Sequence, residues 1–186
     1  MSIPKEEERF ATNVGDVSDL VHELTDKCWR NGNKQINPTM IVLAKAYLSS
    51  FNKIDLIETF ISHSHTYWEE IRLQKENFFI EHSSDIFGKL PVDSGNIDAF
   101  KMLFASKDKD EHGDLLINEE DREAIWEMFG SLVKICIKYI HRIRDCHLEE
   151  NKDGKMVPRY RYNRFPEIKV REHAKKWDIT LDIPRV

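Results

Sequence analysis

The stretch KDKDEHGDLLINEED, Lys107 to Asp121, gathers oxygen donors around a glycine. Asp108, Asp110, Asp114 and Glu119 lie on either side of Gly113. Carboxylate and carbonyl oxygens at such short intervals are what a hard divalent cation such as calcium takes. Other chemistries are thinner. HSHTYWEE, His63 to Glu70, suggests a metal, but on a helix His63 and His65 point about 200° apart and cannot share an ion. His65 and Glu69 are four apart and read as a pair on one helix face. His141, Asp145, Cys146 and His147 cluster without the two spaced ligand pairs of a structural zinc site. There is no G-x-S-x-G, Walker loop, H-E-x-x-H or G-x-G-x-x-G, so an enzyme is the last reading the sequence favours.

A second candidate lies near the end of the chain. In PRYRYNRFPEIKVREHAKKW, Arg159, Arg161 and Arg164 interleave with Tyr160, Tyr162 and Phe165, and Lys169, Arg171, Lys175 and Lys176 follow. Guanidinium groups for phosphate with aromatic rings for stacking are the equipment of single-strand nucleic-acid binding. In an extended segment, however, alternation sends the arginines to one face and the aromatics to the other. The rings then enter the core and the arginines face solvent or an acidic body. Net charge is −5, short of the basic field a nucleic-acid protein carries. From Arg159 onward eight Lys/Arg stand against four Asp/Glu, while the rest of the chain is acidic. That asymmetry predicts a partner or an intramolecular docking of the basic segment, 158–186.

The segment from Asp98 to Lys134 resembles the EF-hand family, a helix, a twelve-residue loop and a helix. The resemblance implies Asp108 at the first loop position, Asp110 at the third, the Asp114 carbonyl at the seventh and Glu119 as the bidentate last ligand. It implies Gly113 at the sharp turn and Leu115 at the apolar eighth position, with Phe100 and Phe104 on the entering helix. The sequence departs from the pattern at His112 and Leu116, which occupy two oxygen positions, and at Glu120. Five oxygens remain, which implies affinity near the weak end for such loops, ~10⁻⁴–10⁻³ M. A second loop in EENKDGKMVPRY fails, because Tyr160 stands where the last glutamate belongs. An acidic turn feeding an Asn-capped helix accounts for the same residues without a metal. Weak calcium is the one cofactor reading.

These residues are set among helices. Apolar stripes of period 3.6 predict helices over 18–31, 38–51, 53–80, 97–106, 119–145 and 167–177, with caps at Ser18, Asn37, Asn96 and Asn118. Pro38 sits at the first helical position, where its missing N–H costs nothing. The 38–51 helix is apolar on most sides and is expected deep in the core. The 119–145 helix is apolar nearly all round its middle, which predicts burial of Trp126, Phe129, Leu132, Val133, Cys136 and Ile140 against the 38–51 helix. Gly130 within it predicts a close crossing. Asp153-Gly154 marks a tight hairpin turn, and Pro158 makes its second arm an edge strand.

The fold class expected is mainly α: a single-domain bundle of about five or six helices with a small C-terminal hairpin or extended appendage. Residues 1–15 are expected to be poorly ordered, and 16–186 to form the domain. The 186 residues are 40% apolar, enough for a core. No apolar run approaches the ~20 residues that cross a bilayer. The N-terminus lacks a signal peptide's apolar region, and three cysteines read as reduced thiols, so an intracellular protein is expected. The leading functional expectation is a non-enzymatic helical module that binds another protein, tuned by a weak divalent-ion loop. The alternatives are an EF-hand-like calcium binder and a nucleic-acid accessory protein.

Overall fold

The computed structural model describes residues 5–34, 37–87, 94–145, 148–150, 152–158 and 164–181. Two long helices form its spine: α1, Glu6–Arg30, and α7, Glu119–Ile140. They pack along one another, and α2, Pro38–Ser49, and α3, Lys53–Ser64, lie against α1. α4, Trp68–Arg72, meets α7; α5, Glu76–Phe87, and α6, Ser94–Ala105, pair with each other beside the spine; and α8, Val170–Lys176, closes on α7. The molecule is a mainly helical, single-domain bundle. Outside helices, β1, Leu148–Glu150, pairs antiparallel with β2, Met156–Pro158, in the register Leu148↔Pro158 and Glu150↔Met156. Gly154 in the connecting turn has φ +73°, the region glycine enters without strain.

α7 has the sequence signals of a central helix. Asn118 and Asp121 form a reciprocal capping box, each side chain taking the other's backbone N–H. Trp126, Phe129, Leu132, Val133, Cys136 and Ile140 are all buried, as their spacing predicts. Their main neighbour is α1, however, and not the 38–51 helix. The α1 face supplies Phe10, Val21, Leu24 and Cys28, and Asn13 Nδ2 donates to Ser131 Oγ across the seam at 2.8 Å. After Ile140 the helix widens into a π turn, His141–Asp145. That turn aims Arg142 back at Glu6 and Glu7 in the first turn of α1.

α1 begins at Glu6, within the stretch expected to be disordered, and Phe10 is 1% exposed. Its early residues are polar and look like a tail, but three acids suit a helix N-terminus and Arg142 meets two of them. Ser18 is therefore no cap: it lies inside α1, its Oγ donating to the Val14 carbonyl at 2.8 Å.

The single helix expected over 53–80 is broken twice. A 3₁₀ turn, His65–Tyr67, separates α3 from α4, and Gln74, at φ +51°, separates α4 from α5. The run Ser62-His63-Ser64-His65-Thr66 holds no strong helix former. At the first break the wholly buried Trp68 indole donates to the equally buried Ser64 hydroxyl at 3.0 Å, so the break satisfies a core N–H. Two further helix starts shift. α6 starts at Ser94, which places Asn96 inside it, and α8 starts at Val170 because Phe165, at φ +59°, and the turn after it precede the helix.

α2 lies at the surface and not deep in the core. Its cap is as expected: Asn37 accepts from the Thr39 N–H, and Pro38 opens the helix. Its depth is not. Only Ile41 is fully buried, while Val42, Leu43 and Tyr47 are 49%, 58% and 51% exposed.

Gly130 faces the indole of Trp177, and a Cβ built there would lie 3.4 Å from its ring, an ordinary contact. Gly130→Ala is therefore expected to be neutral or to stabilise by up to about 1 kcal/mol, the helix-propensity difference. Phe129→Ala, one residue away in the spine, is expected to cost ~3–5 kcal/mol. Urea unfolding of the two variants checks both signs. A Phe129→Ala loss below ~1 kcal/mol would remove α7 from the centre of the fold.

Candidate functional site

The acidic loop is built as a tight turn. The Asp110 N–H donates to the Asp114 carbonyl at 2.9 Å, and the Leu116 N–H to the Asp108 carbonyl at 2.8 Å. The turn closes at Gly113, φ +87°, where the sequence places it. One Asp110 carboxylate oxygen accepts from the His112 and Asp114 N–H groups at 2.9 and 3.0 Å. The Asp114 N–H first, with help from those of His112 and Gly113 and from the His112 imidazole, holds the Asp110 carboxyl below its usual range. Asp108 instead faces the end of α1, accepting from Asn33 Nδ2 at 2.7 Å. Glu119 is exposed on the first turn of α7. Among the described residues no three His, Cys, Asp or Glu side chains gather as a metal-ligand group. The loop thus leads into the capped helix as expected, with Asp108 and Asp110 engaged in hydrogen bonds of their own.

The histidine constellations separate as well. His65 Nδ1 lies 3.1 Å from the Ile61 carbonyl, while Glu69 bridges to Arg72 and Lys176. His141 is buried at the end of α7; the Asp145 side chain, Cys146 and His147 lie outside the described structure. Cys28 and Cys136 are buried free thiols, and burial pushes both above the ordinary thiol value, away from nucleophilic use.

The basic segment is bound to the body at several points. Arg144, from the π turn, donates to the Phe165 and Ile168 carbonyls at 3.0 and 3.1 Å. Arg164 pairs with Glu58 of α3, whose other oxygen accepts from the Tyr139 hydroxyl at 2.8 Å. Lys176 lies 3.5 Å from Glu69, and Lys169 pairs along the chain with Glu172. Ile168, Val170, Ala174 and Trp177 are buried under them, and Arg171 and Lys175 are exposed. Arg159 and Arg161 fall outside the described residues. His173 sits at this joint, edge-on to Trp68 with ring centroids 5.2 Å apart. Burial first, then the charges of Lys176 and, more weakly, His65, lower its pKa; Glu172 and Glu69 oppose them.

The outward face of α2 is the feature the sequence reading missed. Thr39, Val42, Leu43, Ala46, Tyr47 and Ser50 are all exposed. At ~100° per residue they form one stripe about 140° wide. The opposite side lies on α1: Leu48 and Phe51 are partly buried, and the Lys45 stem passes over Gly15. Lys45, the one charge between Asn37 and Asn52, pairs with Asp19 of α1 and leaves the stripe uncharged. The signal was present in the sequence. A helix apolar all round fits burial on every side and equally fits the observed cover on one side, by α1 with a lesser contact to α6.

No family model matches this chain, and neither a curated protein nor a solved structure matches it. No helix among the described residues is long and apolar enough to cross a membrane.

Two expectations follow. His173 gains a proton less readily docked than free. Above the ordinary imidazole value of ~6.5 both forms are neutral; as pH falls through the lower folded value, docking loses stability. Limited proteolysis of the 164–181 segment should quicken from pH 7.5 to 5.5, and His173→Gln should flatten that dependence; an unchanged profile in the variant would place the effect elsewhere. Calcium is expected to bind no tighter than ~10⁻⁴ M by isothermal titration, since Asp108 and Asp110 are engaged within the fold. Micromolar binding lost in Glu119→Gln would contradict this.

Proposed function

We propose that this protein is a non-enzymatic helical interaction module that docks a protein partner on the outward face of α2. The observation that carries the reading is the uncharged stripe with Val42, Leu43 and Tyr47 each about half exposed. One residue in three of the chain is charged, so a stripe without an ionised group stands out from the rest of the surface. Fully burying one such side chain contributes ~1.5–3 kcal/mol, so covering their exposed halves contributes roughly 1 kcal/mol each.

The ion pairs of Arg164 and Lys176 support an intramolecular role for the basic segment over a nucleic-acid one. A nucleic-acid groove would keep such groups available for phosphates.

The test is a paired capture from the cells that make the protein, with wild type and a Leu43→Asp, Tyr47→Asp variant. Both positions are half exposed and Tyr47 lies edge-on to Phe51, so each substitution should cost about 1 kcal/mol and leave the fold in place, which the thermal midpoint checks. A stoichiometric partner retained by wild type and lost by the variant is expected. Partners kept equally by both would overturn the assignment to α2.

A further inference from the structure

An open hollow of about 440 Å³ lies against α3. Asp55, Glu58 and Thr59 line it from α3, where their spacing sets them on one helix face. Arg164 and Phe165 line it from the turn before α8, and His63 lies two turns along α3 from Asp55.

The two members of the Arg164–Glu58 ion pair are held differently. The Glu58 side chain is 13% exposed, and the Tyr139 hydroxyl of α7 donates to its other oxygen at 2.8 Å. The Arg164 side chain is 56% exposed. A carboxylate oriented from the spine, met by a guanidinium that reaches it from the surface, has the form of a receptor and its occupant. Arg164 thus shows a kind of group that Glu58 accepts. The hollow stays open with Arg164 in place.

Charge and geometry select what else enters. Among the described residues Asp55, one turn before Glu58, makes no ion pair or side-chain hydrogen bond. Two carboxylates therefore face one guanidinium, and the hollow carries an uncompensated negative charge. An anion would be repelled. Asp55 and Glu58 are three apart on the helix, so one planar group can reach both. Each carboxylate oxygen has two acceptor positions, which leaves Glu58 room for a further donor beside Arg164 and Tyr139. A guanidinium presents its N–H donors in a rigid fork, whereas an ammonium is a compact point charge. The Phe165 ring offers its face to the same cation or to its apolar stem. The hollow is open, whereas a small molecule needs most of its surface enclosed, so a side chain presented by another surface fits it better.

The geometry points to a second docking site: the α3 hollow takes an arginine side chain of a partner protein, which bridges Asp55 and Glu58 beside Arg164. This site is separate from the α2 face and does not rest on it.

The probe is N-acetyl-arginine amide, titrated into the full chain at pH 8, above the ordinary imidazole value of ~6.5. Amide NMR shifts should saturate along α3 with a millimolar Kd, as one exposed pair allows. Asp55→Asn should weaken binding at least fivefold and leave the thermal midpoint near that of wild type, because the position is exposed. N-acetyl-lysine amide should bind at least threefold more weakly, and N-acetyl-glutamate amide should not bind. Free arginine should bind no tighter than the blocked form, since nothing encloses its backbone. The absence of saturable shifts up to about 50 mM would overturn the inference, as would binding unchanged by Asp55→Asn. Lysine amide binding as tightly as arginine amide would overturn the guanidinium assignment. Free arginine binding tighter than the blocked form would overturn the assignment to a partner's side chain.

Discussion

The α1–α7 seam is the constraint on which the rest of this protein depends. Two helices of 25 and 22 residues bury their apolar faces against one another, and most other elements lean on one of them. Since α7 is buried nearly all round its middle, α1 must cover it along its length. That requirement extends α1 back to Glu6 and places Phe10 in the core. It also places the first turn of α1 beside the π turn, where Arg142 ties the two helices together at that end of the seam. α2 then leans mainly on α1, with a lesser contact to α6, and a helix covered on that side alone shows its other one.

The same frame explains the C-terminal segment. Arg144 and Tyr139 project from the α7 end of the seam, one to hold the turn at Phe165 and Ile168, the other to orient Glu58 for Arg164. Gly130 lies against the Trp177 ring farther along the same helix. Arg164, the one described arginine of the three that look in sequence like a phosphate reader, thus meets Glu58 of the acidic body. A charge asymmetry along a chain measures what must be neutralised, and an intramolecular pair does that as readily as a ligand.

What was legible in the sequence was local. Asn37 with Pro38, and Asn118 with Asp121, are decided within four residues, and the structure has both caps. The burial of α7 was legible because a helix apolar on every side has no solvent face to assign. The partners were not legible, since period and composition show that a face is covered and not by what. α2 fails for that reason: the same pattern describes a helix wrapped by its own chain and one half-covered by α1. The breaks at His65–Tyr67 and Gln74 were hidden because the apolar stripe runs through them, and only the Trp68–Ser64 bond shows why the first is favoured. In the acidic loop the sharp turn at Gly113 was legible. The hydrogen bonding of Asp108 to Asn33, 75 residues away in the chain, was not.

The central claim is that the seam carries the stability and that α2 is bound to it on one side only. Native-state hydrogen exchange of the dilute protein, resolved by segment, tests this most directly. Amides near the middle of α1 and α7 should exchange only through global unfolding, and those of α2 through a smaller, local opening whose free energy lies below the global value. If α2 proves as protected as α7 in dilute solution, it is buried as the sequence alone suggested, and the account of an open face is wrong.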